Sequence, residues 1–322
     1  MVVSQTSRSN QTTPELTHDK RLTHKLLMAP KPTISFEYFP PRTDAGVDAL
    51  YGKLKSMRDM NPVWIDVTFG AGGSTTDRTL SICDKAANEY GMDVMMHLTC
   101  TNMTITDLDH VLNRMKECGI RNVLALRGDP PKDAGEWSKC EGGFSHAVDL
   151  VKYIRAKHDG FFCIGVAGYP EGHTDCDSLE LDMKYLKEKV EAGADLIVTQ
   201  LFYDTDLFFN FVRNARELGI KCPIVPGIMP ITTYGGFERM TNMCKTNVPV
   251  RIRDALEMIK HDDSKVKEYG IGLAVEMCTD IIKHGASEGI HLYTMNNEDN
   301  IREIMRRLSH VVPDSHSEWV RQ

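Results

Sequence analysis

From Pro32 onward, short apolar runs without helical period alternate with longer segments whose apolar residues recur at i, i+3 and i+4. The runs at 33–39, 63–68, 93–98, 122–126, 161–166, 196–201, 224–226 and 289–293 are expected to be strands. Their near-continuous apolar character is that of parallel strands buried on both faces. Helices are expected at 46–57, from Ser74 or Thr75 to 90, and at 104–118, 147–157 and 178–192. Further helices begin at Asp204 and near Tyr234, and others cover 252–260, 264–284 and 298–308. The 178–192 segment illustrates the pattern, with Leu179, Met183, Leu186 and Val190 on one stripe. Three helices end in similar phrases, ECGIRNVLAL, EAGADLIVTQ and ELGIKCPIVPG. In each a glycine (Gly119, Gly193, Gly219) sits where a left-handed C-cap belongs. Eight such strand–helix units predict an α/β fold of the (β/α)8, or TIM-barrel, type. An open doubly wound sheet is the architectural alternative, but no GxGxxG follows the first strand.

Residues 1–30 are rich in Ser, Thr, Gln and Asn and are expected to be a disordered tail. Glu15 and Asp19 weigh against a transit peptide, and no apolar stretch there suits a secretory signal. The catalytic barrel is then expected over 31–312, with a short tail at 313–322. At 322 residues and 41% hydrophobic, the chain is long enough to bury a large core. A net charge of −7 argues against nucleic acid or an anionic membrane as the main partner, and no run approaches the ~20 apolar residues of a membrane span. The nine cysteines are scattered without a CxxC pair, which points to a reducing, cytoplasmic setting. The twelve histidines contain no HExxH and no close pair at metal-ligand spacing, so no metal site is expected.

Catalytic groups of such barrels lie on the loops after the strands. Read at those positions, the chain offers Glu37, Thr68, His97, Arg127 with Asp129, Tyr169 with His173, Gln200 and Tyr293. The stretch NVLALRGDPP (122–131) is typical. A buried strand delivers a cation, a flexible glycine and a carboxylate to the barrel mouth, where prolines stop it. Singly, each residue also suits packing or a salt bridge; together they suit a charged cofactor.

With these residues in view, the chain resembles the catalytic domain of methylenetetrahydrofolate reductases, in particular eukaryotic ones. The matching phrases are SFEYFPPR (35–42), DVTFGAGGST (66–75), HLTC (97–100), LRGDPP (126–131), VAGYPEGH (166–173), EAGADLIVTQLFYD (191–204), PIVPGIMP (223–230) and HLYTMN (291–296). The resemblance implies a (β/α)8 flavoprotein that uses FAD. A nicotinamide cofactor reduces the flavin, which in turn reduces 5,10-methylenetetrahydrofolate to 5-methyltetrahydrofolate in a ping-pong relay. The family's general acid falls on Glu37, whose neighbours Phe36, Tyr38 and Phe39 are expected to raise its pKa by desolvation. Asp129 falls at the family aspartate near flavin and folate. Thr68, Phe69, His97, Arg127, Gly128, Asp129, Tyr169, His173, Asp182 and Lys189 are implied to line FAD, with His146 and Ala147 beside them. Gln200, Tyr293, Asn297 and again Asp129 are implied to meet the folate.

The chain departs from the pattern in three places. Asn297 stands where the family commonly has arginine, which removes a bidentate partner for a folate carboxylate. His146 follows Ser145 where tyrosine is common. The sequence stops at Gln322, where eukaryotic members usually continue into a regulatory domain, so inhibition through such a domain is not expected of this polypeptide. The eukaryote-like phrases tilt the donor toward NADPH over NADH, and homo-oligomerisation is open. The competing functions are a flavin-dependent barrel oxidoreductase with another substrate, and a non-catalytic folate- or flavin-binding subunit.

Overall fold

The computed structural model describes residues 21–69, 73–129, 140–287 and 289–309. Residues 1–20 of the expected 1–30 tail, the expected tail at 313–322, the glycine-rich phrase at 70–72 and Pro130–Pro131 lie outside them, as do the side chains of Ser74 and Thr75. Among the described residues nine strand segments form one parallel sheet: β1 (Thr33–Tyr38), β2 (Trp64–Val67), β3 (Val94–Thr99), β4 (Asn122–Leu126), β5 (Cys163–Gly168), β6 (Leu196–Thr199), β7 (Ile224–Val225), β8 (Gly227–Ile228) and β9 (Gly289–Tyr293). Neighbours follow the order β7-β6-β5-β4-β3-β2-β1-β9-β8. β7 and β8 are two halves of one stave flanking Pro226. Proline has no N–H to donate, yet its carbonyl still accepts from His291 N at 2.9 Å. With β7 on β6 and β8 on β9, the sheet is a nearly closed barrel of eight staves, the expected (β/α)8 fold.

The helices are α1 (Leu22–Met28), α2 (Asp44–Met57), α3 (Gly73–Asn88), α4 (Ile105–Glu117), α5 (Ala147–His158), α6 (Leu179–Glu191), α7 (Thr205–Glu217), α8 (Tyr234–Cys244), α9 (Val250–Ile259), α10 (Asp263–His284) and α11 (Glu298–Leu308). Gly119, Gly193 and Gly219 follow α4, α6 and α7 with φ of 70°, 117° and 83°, the left-handed caps the repeated phrases imply. Strand alternation splits the core in two. Outward residues such as Phe36, Tyr38, Ile65, Val67 and Val123 pack against the helices. Inward residues Trp64, Met95, Leu124, Cys163, Leu196, Val198 and Val225 fill the barrel.

The barrel filling includes Leu22 and Leu26 of α1. This corrects the expectation of a disordered tail through residue 30. Two leucines one helical turn apart dock into the barrel end, Lys25 pairs with Asp93, and Leu22 N donates to Asn122 Oδ1 at 2.9 Å. Asp93 and Asn122 precede or begin strands, so α1 closes the N-terminal end, opposite the strand ends that carry the candidate site. Leu26→Ala is expected to destabilise the protein by about 2–5 kcal/mol in urea titrations, the cost of truncating a buried leucine. A midpoint equal to the wild type would mean that α1 contributes no packing.

Candidate functional site

β1 carries Glu37 with its side chain inward, while Phe36 and Tyr38 point into the helix layer. The carboxyl is therefore not set among the aromatic residues beside it in sequence. Its surroundings come from other strands. Register places Glu37 beside Asp66 of β2 and Tyr293 of β9, and Ser35 beside His291. Glu37 Oε2 lies 3.5 Å from His97 Nε2 and 3.6 Å from His291 Nε2. Asp66 Oδ2 lies 3.5 Å from each of the same two nitrogens. Two carboxylates and two imidazoles thus alternate around the barrel axis. Asp66 and His291 are fully buried, while the Glu37 side chain keeps 18% of its surface open. Burial works against a charged His97, but contact with Asp66 and the negative charges of Glu37 and Asp66 outweigh it and hold the imidazole above its usual pKa.

Outer contacts orient these groups. Trp64 Nε1 donates to Asp66 Oδ1 at 2.8 Å, and Ser35 Oγ lies 2.8 Å from His291 Nδ1. Asp66 and His291 were not among the residues singled out from sequence. A carboxylate inside VWIDVT and an imidazole inside GIHLY, both at inward positions of apolar strands, are the signals that could have found them.

A second feature is a cleft of about 460 Å³ between the ends of β4 and β5 and the faces of α5 and α6. Arg127, His146, Ala147, Tyr169, His173, Asp182 and Lys189, all expected at a cofactor, line it together. Asp175, Tyr185 and Glu188 also line it and were missed; polar residues on a loop or helix surface carry no distinguishing pattern. Arg127 Nη2 pairs with Asp175 Oδ2 at 2.8 Å, which holds the Asp175 carboxyl below the usual range. Lys189 Nζ donates to Ala167 O at 2.7 Å, and burial pushes its ammonium down to about 8, against the pull of Asp182. Burial raises the Asp182 carboxyl, opposed by Lys189 and His173. Tyr169 and His173 meet edge to face, 4.7 Å between ring centres. His173 Nδ1 accepts from Asp175 N at 3.0 Å, and burial lowers its pKa, so the ring is neutral near pH 7.

Gly128 links the two features. Its φ is 88°, and a Cβ there would stand 2.6 Å from Thr101 Oγ1. Asp129 follows, exposed at the end of β4. Thr68 and Phe69 follow β2 away from the cleft lining; Thr68 N donates to Tyr38 O at 2.9 Å, and Phe69 packs on the outer core. His97 belongs to the buried quartet, not to the cleft wall. Gln200 Oε1 accepts from Leu201 N at 2.8 Å. Tyr293 donates to Thr199 O at 2.6 Å and packs edge-on against His291. Asn297 caps α11, its side-chain oxygen accepting from Asn300 N at 3.2 Å.

Residues 22–309 match the family model described as methylenetetrahydrofolate reductase. An Arabidopsis thaliana protein named methylenetetrahydrofolate reductase (NADH) 1 is 50% identical over 283 residues, covering 85% of this chain and 48% of that one. A Caenorhabditis elegans protein named as probable methylenetetrahydrofolate reductase (NADPH) is 38% identical, covering 91% and 44%. A 5,10-methylenetetrahydrofolate reductase of Pectobacterium carotovorum is 32% identical, covering 83% and 86%. The chain spans about half the length of the plant relatives it matches. Among solved structures, an uncharacterised Clostridium thermocellum protein that binds two copies of 5-methyl-5,6,7,8-tetrahydrofolic acid superposes with a TM-score of 0.60 at 12% identity, covering 89% of this chain and 97% of that one. At that identity the likeness speaks to fold alone.

Proposed function

The chain belongs to the methylenetetrahydrofolate reductase family, and from that premise we propose that it reduces 5,10-methylenetetrahydrofolate to 5-methyltetrahydrofolate with FAD and a nicotinamide dinucleotide. The observation that carries this reading is the pairing of one partly open carboxyl at the barrel mouth, Glu37, with a cleft that presents Arg127 and Lys189. FAD, when bound, supplies a two-electron carrier between nicotinamide and folate. The cleft fits such a group in chemistry: a fork-shaped cation and a point cation suit a pyrophosphate, and Tyr169 offers an apolar ring beside them.

The chain's own residues then have distinct tasks. Glu37 delivers a proton to the folate nitrogen, so that the methylene bridge opens to an electrophilic iminium. His97 and His291 from two other strands stand 3.5 and 3.6 Å from it, and part of its surface stays open. Asp129, exposed nearby, favours that cationic form by charge. Gln200 is retained as the pterin-reading amide, since its carboxamide can still donate while its oxygen holds Leu201 N. Tyr293 and Asn297 are retained at the folate side. Tyr293 acts as a positioned ring, and Asn297 acts through its amide N–H groups because its oxygen caps α11. Thr68, Phe69 and His97 are retained near the flavin, with His146 and Ala147 at its rim.

The NADH in the names of plant relatives at 50% identity supports NADH as a donor, while NADPH is kept through the nematode relative. An absorbance spectrum of the purified protein, followed by anaerobic NADH, NADPH and then methylenetetrahydrofolate, tests the proposal. A flavin spectrum bleached by a nicotinamide and restored by the folate is the expected result. A protein that stays colourless after incubation with FAD would refute it.

The lowered pKa of Lys189 sets a pH dependence. In the FAD-free protein its charge is complete well below pH 8 and is lost as the pH rises through about 8. Binding an anion favours the protonated form, so FAD affinity is expected to fall as pH rises from 7 to 9.5. Titrations of flavin fluorescence measure this, and Lys189→Met should both weaken binding and flatten the profile. An unchanged pH slope in that variant would remove Lys189 from the cofactor contacts.

A further inference from the structure

We propose that Glu37, Asp66 and His291 form an inhibitory binding site for a divalent transition-metal cation of the zinc class, with His97 as a fourth donor. The three residues each bring a donor atom to within 4.8 Å of the other two. His291 Nε2 stands 3.6 Å from Glu37 Oε2 and 3.5 Å from Asp66 Oδ2, and His97 Nε2 stands 3.5 Å from both oxygens. Zinc takes nitrogen and oxygen ligands at ~2.0–2.2 Å, so the edges of its tetrahedron are roughly 3.4 Å long. Four of the six donor–donor distances match that edge, and His97, which stands outside the trio whose atoms all lie within 4.8 Å, joins as a fourth donor by a shift of its ring.

Burial supplies a second, independent observation. Asp66 Oδ2, His97 Nε2 and His291 Nε2 are buried and have no hydrogen-bond partner among the described residues. Buried polar atoms of this kind are rarely left so, and here all three are turned toward one point. The outer contacts are those of ligands held for a metal. Ser35 Oγ on His291 Nδ1 fixes the ring so that Nε2 faces inward, and Trp64 Nε1 on Asp66 Oδ1 leaves Oδ2 for the centre. Two carboxylates and two neutral imidazoles around a dication also make a site of zero net charge, which suits a barrel interior. Mixed imidazole and carboxylate donors select zinc-like ions over calcium or magnesium. The Glu37 side chain keeps 18% of its surface open, which gives the ion access to the site.

The ligands lie on β1, β2 and β9, more than 200 residues apart at the extremes. No local spacing could reveal them, which is why the sequence offers no metal signature. The inhibitory consequence, unlike the binding itself, rests on the proposed function. A cation on Glu37 occupies the carboxyl that would carry the proton, so it blocks folate reduction while leaving flavin reduction by nicotinamide intact.

The test is equilibrium dialysis of chelator-treated holoprotein against Zn²⁺, with zinc X-ray absorption on the loaded sample. Binding is read without turnover, so its failure is distinct from failure of the functional reading, which the flavin spectrum decides. The expected result is one zinc per chain at micromolar free metal, with a nitrogen and oxygen shell near 2.0–2.1 Å. Asp66→Asn and His291→Gln should each weaken binding by at least the ~10–100-fold that loss of an outer partner costs. Absence of binding below millimolar zinc would overturn the site. So would a zinc–sulfur shell near 2.3 Å, which would assign the metal to cysteines. Full affinity in Asp66→Asn, whose shape is conserved, would do the same.

Discussion

Replacing Glu37 by glutamine is expected to slow the folate half-reaction by ~10²–10⁴-fold, the usual worth of a positioned general acid. Bleaching of the flavin by nicotinamide should stay near the wild-type rate. The substitution keeps the shape of the side chain and its place on β1, so packing around Phe36 and Tyr38 on the other face is untouched. What changes is the ability to give up a proton, together with the negative charge that faces His97 and His291 at 3.5 and 3.6 Å. The cleft proposed for the flavin draws its charged walls from β4, β5 and α6 and does not include Glu37, so cofactor content should survive. Stopped-flow traces of the two half-reactions, recorded separately, make the distinction. Loss of bound flavin as the main defect would move Glu37 from proton delivery to cofactor binding. An unimpaired folate step would remove it from the chemistry altogether.

The barrel was legible because parallel strands covered on both faces read as apolar runs, and because left-handed glycine caps recur before three of them. α1 was not legible. Two leucines one turn apart are too short a stripe to stand out from a Ser- and Thr-rich leader, and only the open barrel end gives them something to bury against. Arg127 and Lys189, which charge and position mark in the sequence, come together in one cleft. Asp175 had no such mark, because its place in the cleft comes from an ion pair with a residue 48 positions away in sequence.

Glu37 stands out in the sequence as a carboxylate among aromatic residues, and the fold gives it different surroundings. A carboxylate in an aromatic strand is conspicuous, but period-two alternation sends its sequence neighbours to the opposite face. Its real partners, Asp66, His97 and His291, are supplied by register between strands, which no local window contains. Asn297 shows the same limit. Set against family habit it is a missing cation, whereas in the fold its oxygen is the N-cap of α11. Arginine there would forfeit about 1 kcal/mol of capping.

Gly128→Ala is expected to lower FAD affinity by at least about a hundredfold while leaving most of the fold intact. Two costs fall on one residue. A φ of 88° is a left-handed conformation, worth roughly 1–2 kcal/mol against any residue with a Cβ. The added methyl would also meet Thr101 Oγ1 at 2.6 Å and Thr99 Cβ at 2.9 Å, and overpacking of this kind costs ~1–3 kcal/mol. Thr101 cannot simply rotate away, because its hydroxyl lies 3.1 Å from the carbonyls of both Arg127 and Asp129 and ties the loop together. The cheapest relief is for the backbone to turn at 128, which carries Arg127 out of the cleft and Asp129 away from the mouth. At 1.4 kcal/mol per factor of ten, strain of ~3 kcal/mol released through that movement accounts for the expected loss in binding. The β4 strand itself ends before the glycine, at Leu126, and should hold. Flavin content after purification, FAD titration of the stripped protein and a thermal melt separate the outcomes. Lost flavin with a small change in melting temperature supports a local displacement of the Arg127–Asp129 turn. A large drop in stability with normal affinity in the folded fraction would place the strain in the core instead.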